Sequence, residues 1–268
     1  MFSSVLVVVV LQISVRGNKC LMSAHANSES MKAILTFHSI DDSGSVLSYP
    51  VFKFRELIFA LVESLTPVIS LAQLRSGMDG VVLSFDDGMA SVRENALPVL
   101  VDAEVPAHIF LTTGAVGANN DWPSQPASAT RYSMMEWSDI DACIKGGMLI
   151  ESHTHTHPYL TRCNDQNILD ECNTADLLIE ERTGRRPIAF AYPYGDYDAR
   201  VVNLVRSNYD CAVTTTLNFL NEKDSPHLMP RIDTYYMQSP WQIRNISGPG
   251  MRLYIEFRRA LRWLRGSH

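Results

Sequence analysis

Residues 81–88 read VVLSFDDG, an apolar run that ends in two adjacent carboxylates and a glycine. Such a run is typical of a buried strand. Asp86 and Asp87 then fall at the carboxyl end of that strand. Parallel α/β folds place their active sites at the carboxyl ends of their strands. The stretch therefore predicts a parallel sheet with an acidic pair at its functional edge.

A second apolar run, residues 148–152, leads into three histidines, His153, His155 and His157. Each signal has an ordinary alternative, since Asp-Asp-Gly is common in turns and helix caps and clustered histidines occur in surface metal-scavenging tracts. A surface tract is more typical of a polar tail than of residues that close an apolar strand. An acidic pair and histidines at two strand ends can converge on one divalent cation, because three protein ligands and an open position for water form a catalytic zinc site.

Together the two motifs resemble those of the polysaccharide deacetylase family, a carbohydrate esterase group that includes nodulation-type chitin-oligosaccharide deacetylases. The resemblance is carried by Ser-Phe-Asp-Asp-Gly at 84–88 and His-Thr-x-x-His-Pro at 153–158, and it extends over roughly residues 32–235. It implies an α/β fold, a distorted (β/α) barrel of about seven parallel strands with helices outside. The predicted strands and helices alternate along the chain, which agrees with a parallel sheet.

The resemblance also implies roles for the motif residues. Asp86 would be the catalytic base, and Asp87, His153 and His157 would hold one divalent metal ion of the zinc class. His155 stands at a variable position and is expected to be a bystander. A divalent cation polarises a carbonyl and acidifies bound water, and Asp86 points to the other side of the strand from Asp87, where it can accept the proton of that water.

One loop departs from the family pattern, residues 190–195, which read FAYPYG. Many members have Arg-Pro-Pro-Tyr-Gly there, and the arginine orients the catalytic aspartate, whereas this chain has Ala191. Arg231, predicted to end a later strand on the same side, could supply the guanidinium instead. The alternative is an ordinary surface arginine after Pro230. By the same resemblance, the backbone N–H of Tyr194 would stabilise the oxyanion.

The general acid and the substrate contacts are harder to assign. Family members usually carry a Leu-x-His segment near the end of the domain, and this chain has no clean copy, so His227 and His38 both remain candidates for protonating the leaving amine. Trp122, in the long polar segment 115–133, could stack on a sugar or simply plug the loop against the barrel. The predicted substrate-binding residues are Tyr192, Pro193, Tyr194, Trp122 and His38.

Three segments are predicted along the chain. Residues 1–30 would be an extension that is either poorly ordered or wrongly included through a misassigned translation start. The run VLVVVVL at 5–11 is too short to span a bilayer, and no basic residue precedes Arg16 as it would in a signal peptide. Residues 31–245 would form the catalytic domain. Residues 246–268 would form a basic helical extension that packs on the barrel or, alternatively, rests on an anionic membrane.

Composition narrows the class of protein further. The net charge of −6 over 268 residues argues against a nucleic-acid binder. The five cysteines follow no spaced pattern, which indicates free thiols and a cytoplasmic or membrane-peripheral location. The sequence contains no serine nucleophile elbow, no Walker loop and no dinucleotide-binding fingerprint.

The predicted function is a metal-dependent hydrolase that removes N-acetyl groups from the amino sugars of a poly- or oligosaccharide, so its partner would be an N-acetylated glycan. Two alternatives stay open. One is a deacetylase or deformylase of a lipid-linked amino sugar, and the other is a non-catalytic glycan-binding relative, which Ala191 and the unassigned acid would suit. Asp86 favours an enzyme, because a binding protein has no need of a base.

Overall fold

The computed structural model describes residues 31–64, 66–246 and 248–264. The strands among these residues are β1 (Lys32–Phe37), β2 (Ser39–Ile40), β3 (Ser48–Tyr49), β4 (Gly80–Asp87), β5 (Ala107–Leu111), β6 (Met148–Ser152), β7 (Ala189–Ala191), β8 (Cys211–Leu217) and β9 (Met229–Asp233). Seven of them form a closed barrel in the order β1-β4-β5-β6-β7-β8-β9, and β2 pairs with β3 beside it. All neighbouring barrel strands are parallel, and β1 closes the ring by pairing with both β4 and β9. The predicted barrel of about seven parallel strands is therefore confirmed.

Helices follow most of the strands and cover the outside of the barrel. They are α1 (Val51–Glu63), α2 (Leu71–Arg75), α3 (Leu97–Asp102), α4 (Trp137–Lys145), α5 (Asp165–Thr183), α6 (Ala199–Asn208), α7 (Pro240–Arg244) and α8 (Pro249–Leu264). The ends of α5 illustrate how local sequence sets these bounds. Asn164 caps its first turn by accepting the backbone N–H of Asn167, and Gly184 ends it in the left-handed region with φ of 70°, where glycine has no Cβ penalty.

The two faces of β4 separate the apolar core from the polar site. Leu83 and Phe85 pack into the large cluster that the strands share with the outer helices. Val82 faces the inside of the barrel, where it packs with Leu71 of α2. Asp86 lies on the same face as Val82, because side chains alternate along a strand. The inside of the barrel is therefore apolar at its amino end, which α2 closes, and polar at its carboxyl end.

The barrel is least regular between β6 and β7, where only one residue pair is in register. A side chain replaces part of the missing ladder there. Glu151, which is fully buried, accepts the backbone N–H groups of Ile188 at 2.9 Å and Ala189 at 3.1 Å. Its other oxygen accepts a hydrogen bond of 2.8 Å from Arg185. A buried backbone N–H needs such a partner, so Glu151 links β6 to β7 across this irregular seam of the barrel.

The C-terminal helix α8 packs against the barrel through Met251 and Ile255, which are fully buried in the large cluster. Its outer side exposes Leu253 and Phe257, and membrane association stays a prediction, as do the predicted segment boundaries. No helix in the described ranges has both the length and the apolar composition to cross a membrane.

The predictions made for residues 1–30, including their apolar run and Cys20, lie outside the described residues. Within the described part of the chain the cysteines are free thiols, as the spacing predicted. They are Cys143, Cys163, Cys172 and Cys211.

Candidate active site

Four side chains of the two motifs converge at the carboxyl end of the barrel. Asp86 and Asp87 are the last residues of β4, and His153 and His157 lie in the loop that follows β6. Only β5 separates these two strands in the barrel, so their carboxyl ends lie close together. The four residues are between 3% and 5% exposed, and they line a cavity of about 210 Å³.

Three of these side chains form a compact triangle of potential metal-binding atoms. Asp87 Oδ1 lies 3.5 Å from Nε2 of His153 and 3.5 Å from Nε2 of His157, and the two Nε2 atoms are 3.1 Å apart. Atoms that bind a tetrahedral zinc-class ion at ~2.0–2.1 Å are about 3.3–3.4 Å from one another. The triangle therefore has the size of one face of such a site. No other group of three potential ligands was found among the described residues.

A backbone carbonyl sets the chemical form of the His153 ring. Its Nδ1 lies 2.8 Å from the carbonyl oxygen of Ala191, which can only accept a hydrogen bond. Nδ1 must therefore carry a proton, and in the neutral ring the lone pair of Nε2 faces Asp87 and His157. Metal-binding histidines commonly have such a second hydrogen bond, which fixes both the tautomer and the ring orientation.

The backbone around the triangle adopts conformations that are unusual for side-chain-bearing residues. Asp87 has φ of 72°, Thr154 of 66° and His157 of 54°, and each such residue costs about 1–3 kcal/mol unless its surroundings compensate. Part of the compensation comes from Glu171 of α5, whose carboxylate accepts two backbone N–H groups of the 153–157 loop at 2.9 and 2.7 Å. The cluster is thus held in place by the surrounding fold.

Asp86 forms a bidentate ion pair with Arg231. Both Nη atoms of Arg231 donate to its two carboxylate oxygens at 2.7 Å. Arg231 Nε donates to the carbonyl oxygen of Thr214 at 2.9 Å, and the arginine is only 3% exposed. Paired hydrogen bonds of this kind fix the plane of the carboxylate as well as its charge. The structure thus meets the geometric requirement of the arginine hypothesis, and Arg231 is not an ordinary surface residue.

The charges of the site favour a cation. Burial alone would raise the pKa of Asp86, but the Arg231 guanidinium lowers it below its ordinary value. The pKa of Asp87 is also lowered, because the neighbouring histidines outweigh the effect of burial. Burial and the proximity of His153 lower the pKa of His157 to about 3. Two ionised carboxylates and a neutral imidazole are the forms that a divalent ion requires.

Trp122 and Tyr194 cover the His157 ring. Each of their rings has its centroid 4.4 Å from that of His157. Trp122 Nε1 donates to the Tyr194 hydroxyl oxygen at 2.9 Å, and Trp122 is only 9% exposed. The indole therefore plugs its loop against the barrel and forms part of the cavity wall. Tyr194 also lines the cavity, and its backbone has φ of 59°.

Two of the predicted substrate contacts do not present their side chains to the cavity. Tyr192 borders it, but its ring is 1% exposed and its hydroxyl donates to the carbonyl oxygen of His227 at 3.0 Å. Pro193 is buried and does not line the cavity. Ala191 faces the barrel interior, so alternation along β7 turns the Tyr192 side chain outward into another cluster.

The structure separates the two candidates for the general acid. His38 follows β1 and lines the same cavity as Asp86, and its charge contributes to lowering the pKa of both aspartates. His227 precedes β9 and therefore lies at the amino end of that strand. Its Nε2 is 2.9 Å from the carbonyl oxygen of Tyr209, and it does not line the cavity. His227 therefore lies outside the cavity that contains Asp86.

Several cavity-lining residues were not predicted. Asp233 could have been found, because it follows Arg231 by two positions on the same strand and so shares its face. Arg262 of α8 could not, since its position depends on how that helix packs. The unpredicted residues of the wall are Thr36, Leu47, Gln125, Thr214, Thr215, Asp233 and Arg262.

The fold and the site together define a parallel α/β barrel that carries an Asp-His-His cluster beside an arginine-held aspartate. The family described as "Polysaccharide deacetylase" matches residues 75–209, half of the chain. The chain belongs to the polysaccharide deacetylase family. This confirms the predicted family, whose members are amide-hydrolysing enzymes of the predicted class.

Individual relatives agree with this assignment. The polysaccharide deacetylase homologue YxkH of Bacillus subtilis is 26% identical over 232 residues, which cover 83% of this chain and 75% of the relative. A poly-beta-1,6-N-acetyl-D-glucosamine N-deacetylase of Staphylococcus aureus is 27% identical over 125 residues, which cover 43% of this chain and 40% of the relative. The match thus spans less than half of the Staphylococcus enzyme.

Solved structures share the fold. The Streptococcus pyogenes deacetylase PplD superimposes with a TM-score of 0.70 at 20% identity, over 82% of this chain and 99% of its own. IcaB from Ammonifex degensii gives a TM-score of 0.69 at 19% identity, over 83% of this chain and 97% of its own. At these identities the likeness establishes the barrel architecture alone.

Proposed function

We propose that the chain is a metal-dependent N-deacetylase that removes acetyl groups from the amino sugars of a poly- or oligosaccharide. The observation that carries this proposal is the pairing of Asp86 with Arg231 directly beside the Asp87–His153–His157 triangle. A metal site that served only structure would have no need of an oriented, ionised carboxylate at its edge. The name of the Staphylococcus relative, a poly-N-acetylglucosamine deacetylase, supports an amino-sugar glycan as the substrate class.

Asp87, His153 and His157 would hold the ion, and the nitrogen and oxygen donors suit zinc among the available divalent metals. When bound, such an ion supplies Lewis acidity to the amide carbonyl and to the attacking water. Asp86 then accepts the proton of that water. Arg231 occupies two of its lone-pair positions, and a carboxylate has about four, so it keeps the capacity to act as a base while its orientation is fixed.

The remaining roles follow from positions in the cavity wall. The backbone N–H of Tyr194 is the proposed donor to the developing oxyanion, which is supported by the place of this residue beside His157. His38 is the proposed general acid, because it is the candidate that shares the cavity with Asp86. Protonation by His38 would allow the sugar amine to leave without becoming an amide anion.

The test is acetate release by the metal-loaded protein from N-acetylglucosamine oligomers, peptidoglycan fragments and a lipid-linked N-acetylamino sugar. We expect turnover on at least one of them, loss of turnover after chelation, and recovery when zinc is restored. Asp86→Asn is the matched variant, because it keeps the size of the side chain and removes the base. Binding of a glycan without any acetate release would instead identify a non-catalytic relative and refute the proposal.

A further inference from the structure

The C-terminal helix α8 reaches the mouth of the candidate active site. Two cation–π contacts attach it to the barrel and its neighbours, with Arg252 5.0 Å from the Phe219 ring centroid and Arg258 4.7 Å from that of Tyr236. Together with the buried Met251, these contacts fix which side of the helix faces the barrel. Arg262, four residues after Arg258, lines the cavity at the carboxyl ends of the strands.

Arg262 connects the catalytic cavity to a second depression. It lines the catalytic cavity, and it also lines an adjoining groove of about 440 Å³. Thr215 borders both spaces, and its carbonyl oxygen accepts a hydrogen bond of 3.2 Å from Arg262 Nη1. Arg259 and Trp263 form part of the groove wall, and Trp263 is 70% exposed. The groove therefore offers two guanidinium groups and an open aromatic face next to the cavity.

Both arginines keep their charge available. Across the ranges that the structure describes, no carboxylate forms an ion pair with Arg259 or Arg262. Several other arginines of the fold do have a carboxylate partner. The carboxylates of the cavity have other partners. Asp86 is paired with Arg231, Asp87 belongs to the metal-binding triangle, and Asp233 accepts the backbone N–H of Tyr235.

We propose that Arg259 and Arg262 form a subsite for an anionic group, a phosphate or a carboxylate, carried by the sugar next to the one that is deacetylated. This inference rests on the proposed function and narrows its substrate class to acidic amino-sugar glycans. Guanidinium groups match the geometry of both anions, and Trp263 provides an apolar face on which a sugar ring can pack. A neutral glycan would leave two unpaired cations beside the reacting sugar.

The experiment compares three substrates of equal length under the same conditions. They are a neutral N-acetylglucosamine oligomer, the same oligomer with a phosphate at its reducing end, and an oligomer in which N-acetylmuramic acid supplies a carboxylate. The readout is kcat/KM for each anionic substrate divided by kcat/KM for the neutral one. We expect a preference of roughly 10- to 100-fold for one or both anions, as for a hydrogen-bonded charge pair, and a smaller preference at high ionic strength.

Two variants and a matched control locate that preference. Arg262→Gln and Arg259→Gln should reduce the ratio towards one. Arg262→Lys should keep part of the preference, because lysine carries the charge but cannot donate the two parallel hydrogen bonds of a guanidinium group. Arg55→Gln removes the same charge from the exposed side of α1, away from cavity and groove, and should leave the ratio unchanged. Preference for the phosphate over the carboxylate, or the reverse, identifies the source of the anion.

A titration keeps this inference separate from the proposed function. Binding of N-acetylglucosamine 1-phosphate and of N-acetylglucosamine is measured calorimetrically on the wild type and on Arg262→Gln. If no substrate releases acetate, the proposed function fails, and tighter Arg262-dependent binding of the phosphate would still support the subsite. Equal kcat/KM for all three substrates, with equal affinities in the titration, would overturn the subsite while leaving the deacetylase proposal intact.

Discussion

Replacing Arg231 by glutamine tests whether the buried ion pair with Asp86 serves catalysis or only stability. The substitution removes two charge-assisted hydrogen bonds of 2.7 Å and a third to Thr214. Breaking a buried pair by removing one partner costs about 3–5 kcal/mol. For a chain of this size each kcal/mol lowers Tm by about 2–4 °C, so we expect Tm to fall by ~6–20 °C.

The catalytic effect should be larger than the loss of stability alone would produce. Asp86 without its guanidinium loses its fixed plane, and only the charges of His153 and His38 then oppose the effect of burial, which raises its pKa. A misplaced and partly protonated base should lower kcat/KM by about 10²–10⁴-fold, the contribution of general base catalysis. The acid limb of the pH profile should move to higher pH for the same reason. Metal content, measured by elemental analysis, should remain that of the wild type.

Two further variants separate charge from geometry. Arg231→Lys keeps the positive charge but cannot hold both carboxylate oxygens, so we expect most of the stability to return and most of the activity loss to remain. Arg185→Gln breaks another arginine–carboxylate hydrogen bond of 2.8 Å, to Glu151 near the amino end of β7, and should lower Tm with unchanged kcat/KM of the folded, metal-loaded protein. Wild-type kcat/KM in Arg231→Gln, or an equal loss in Arg185→Gln, would refute the assigned role.

The remaining predictions concern the ligands, the acidic pair and the buried glutamate. His153→Ala and His157→Ala should each lose the metal in elemental analysis, and full occupancy in both would contradict the ligand assignment. Asp86→Asn should keep the metal and lose about 10²–10⁴-fold in kcat, whereas Asp87→Asn should lose the metal, and the opposite pattern would exchange the two roles. Glu151 has a lowered pKa, because the contact with His108, whose Nδ1 lies 3.3 Å from Oε1, and the charge of Arg185 outweigh burial. Its stabilisation is therefore present above its unfolded pKa of about 4.3 and is lost as pH falls through the folded value. Glu151→Gln should cost about 2–3 kcal/mol in urea unfolding at pH 7 and less below pH ~4, and a cost independent of pH would contradict this.

The parts of the site that lie on strands could be predicted from the sequence. The position of a residue in a strand determines how far along the barrel it lies and to which side its side chain points. Asp86 and Asp87 end an apolar run, so their place at the carboxyl edge followed from local pattern. Arg231 was found in the same way, as the arginine that ends a strand on that edge. The same rules place His227 at the amino end of its strand, because it precedes that strand, and turn the Tyr192 side chain away from the side that Ala191 faces.

Other features depend on contacts that no local pattern reports. The partner of His153 is the backbone carbonyl of Ala191, and every residue has such a carbonyl. His157, whose φ is positive, ends a loop whose backbone N–H groups donate to Glu171 of α5. Arg262 reaches the cavity because α8 packs in one orientation on the barrel. Tertiary packing, which links residues far apart in the chain, decided each of these positions.

The irregular seam between β6 and β7 has a consequence for the shape of the catalytic cavity. At the amino end of the seam Glu151 accepts two N–H groups of the 188–189 backbone, and at the carboxyl end His153 donates to the carbonyl of Ala191. Side chains rather than a continuous ladder therefore set the spacing of these strands, and with it the circumference of the barrel. His153 follows β6, and the 190–195 loop follows β7, so the two lie on opposite sides of this irregular strand pair. The spacing of the strands that carry His153 and the 190–195 loop therefore depends in part on Glu151, which does not line the cavity.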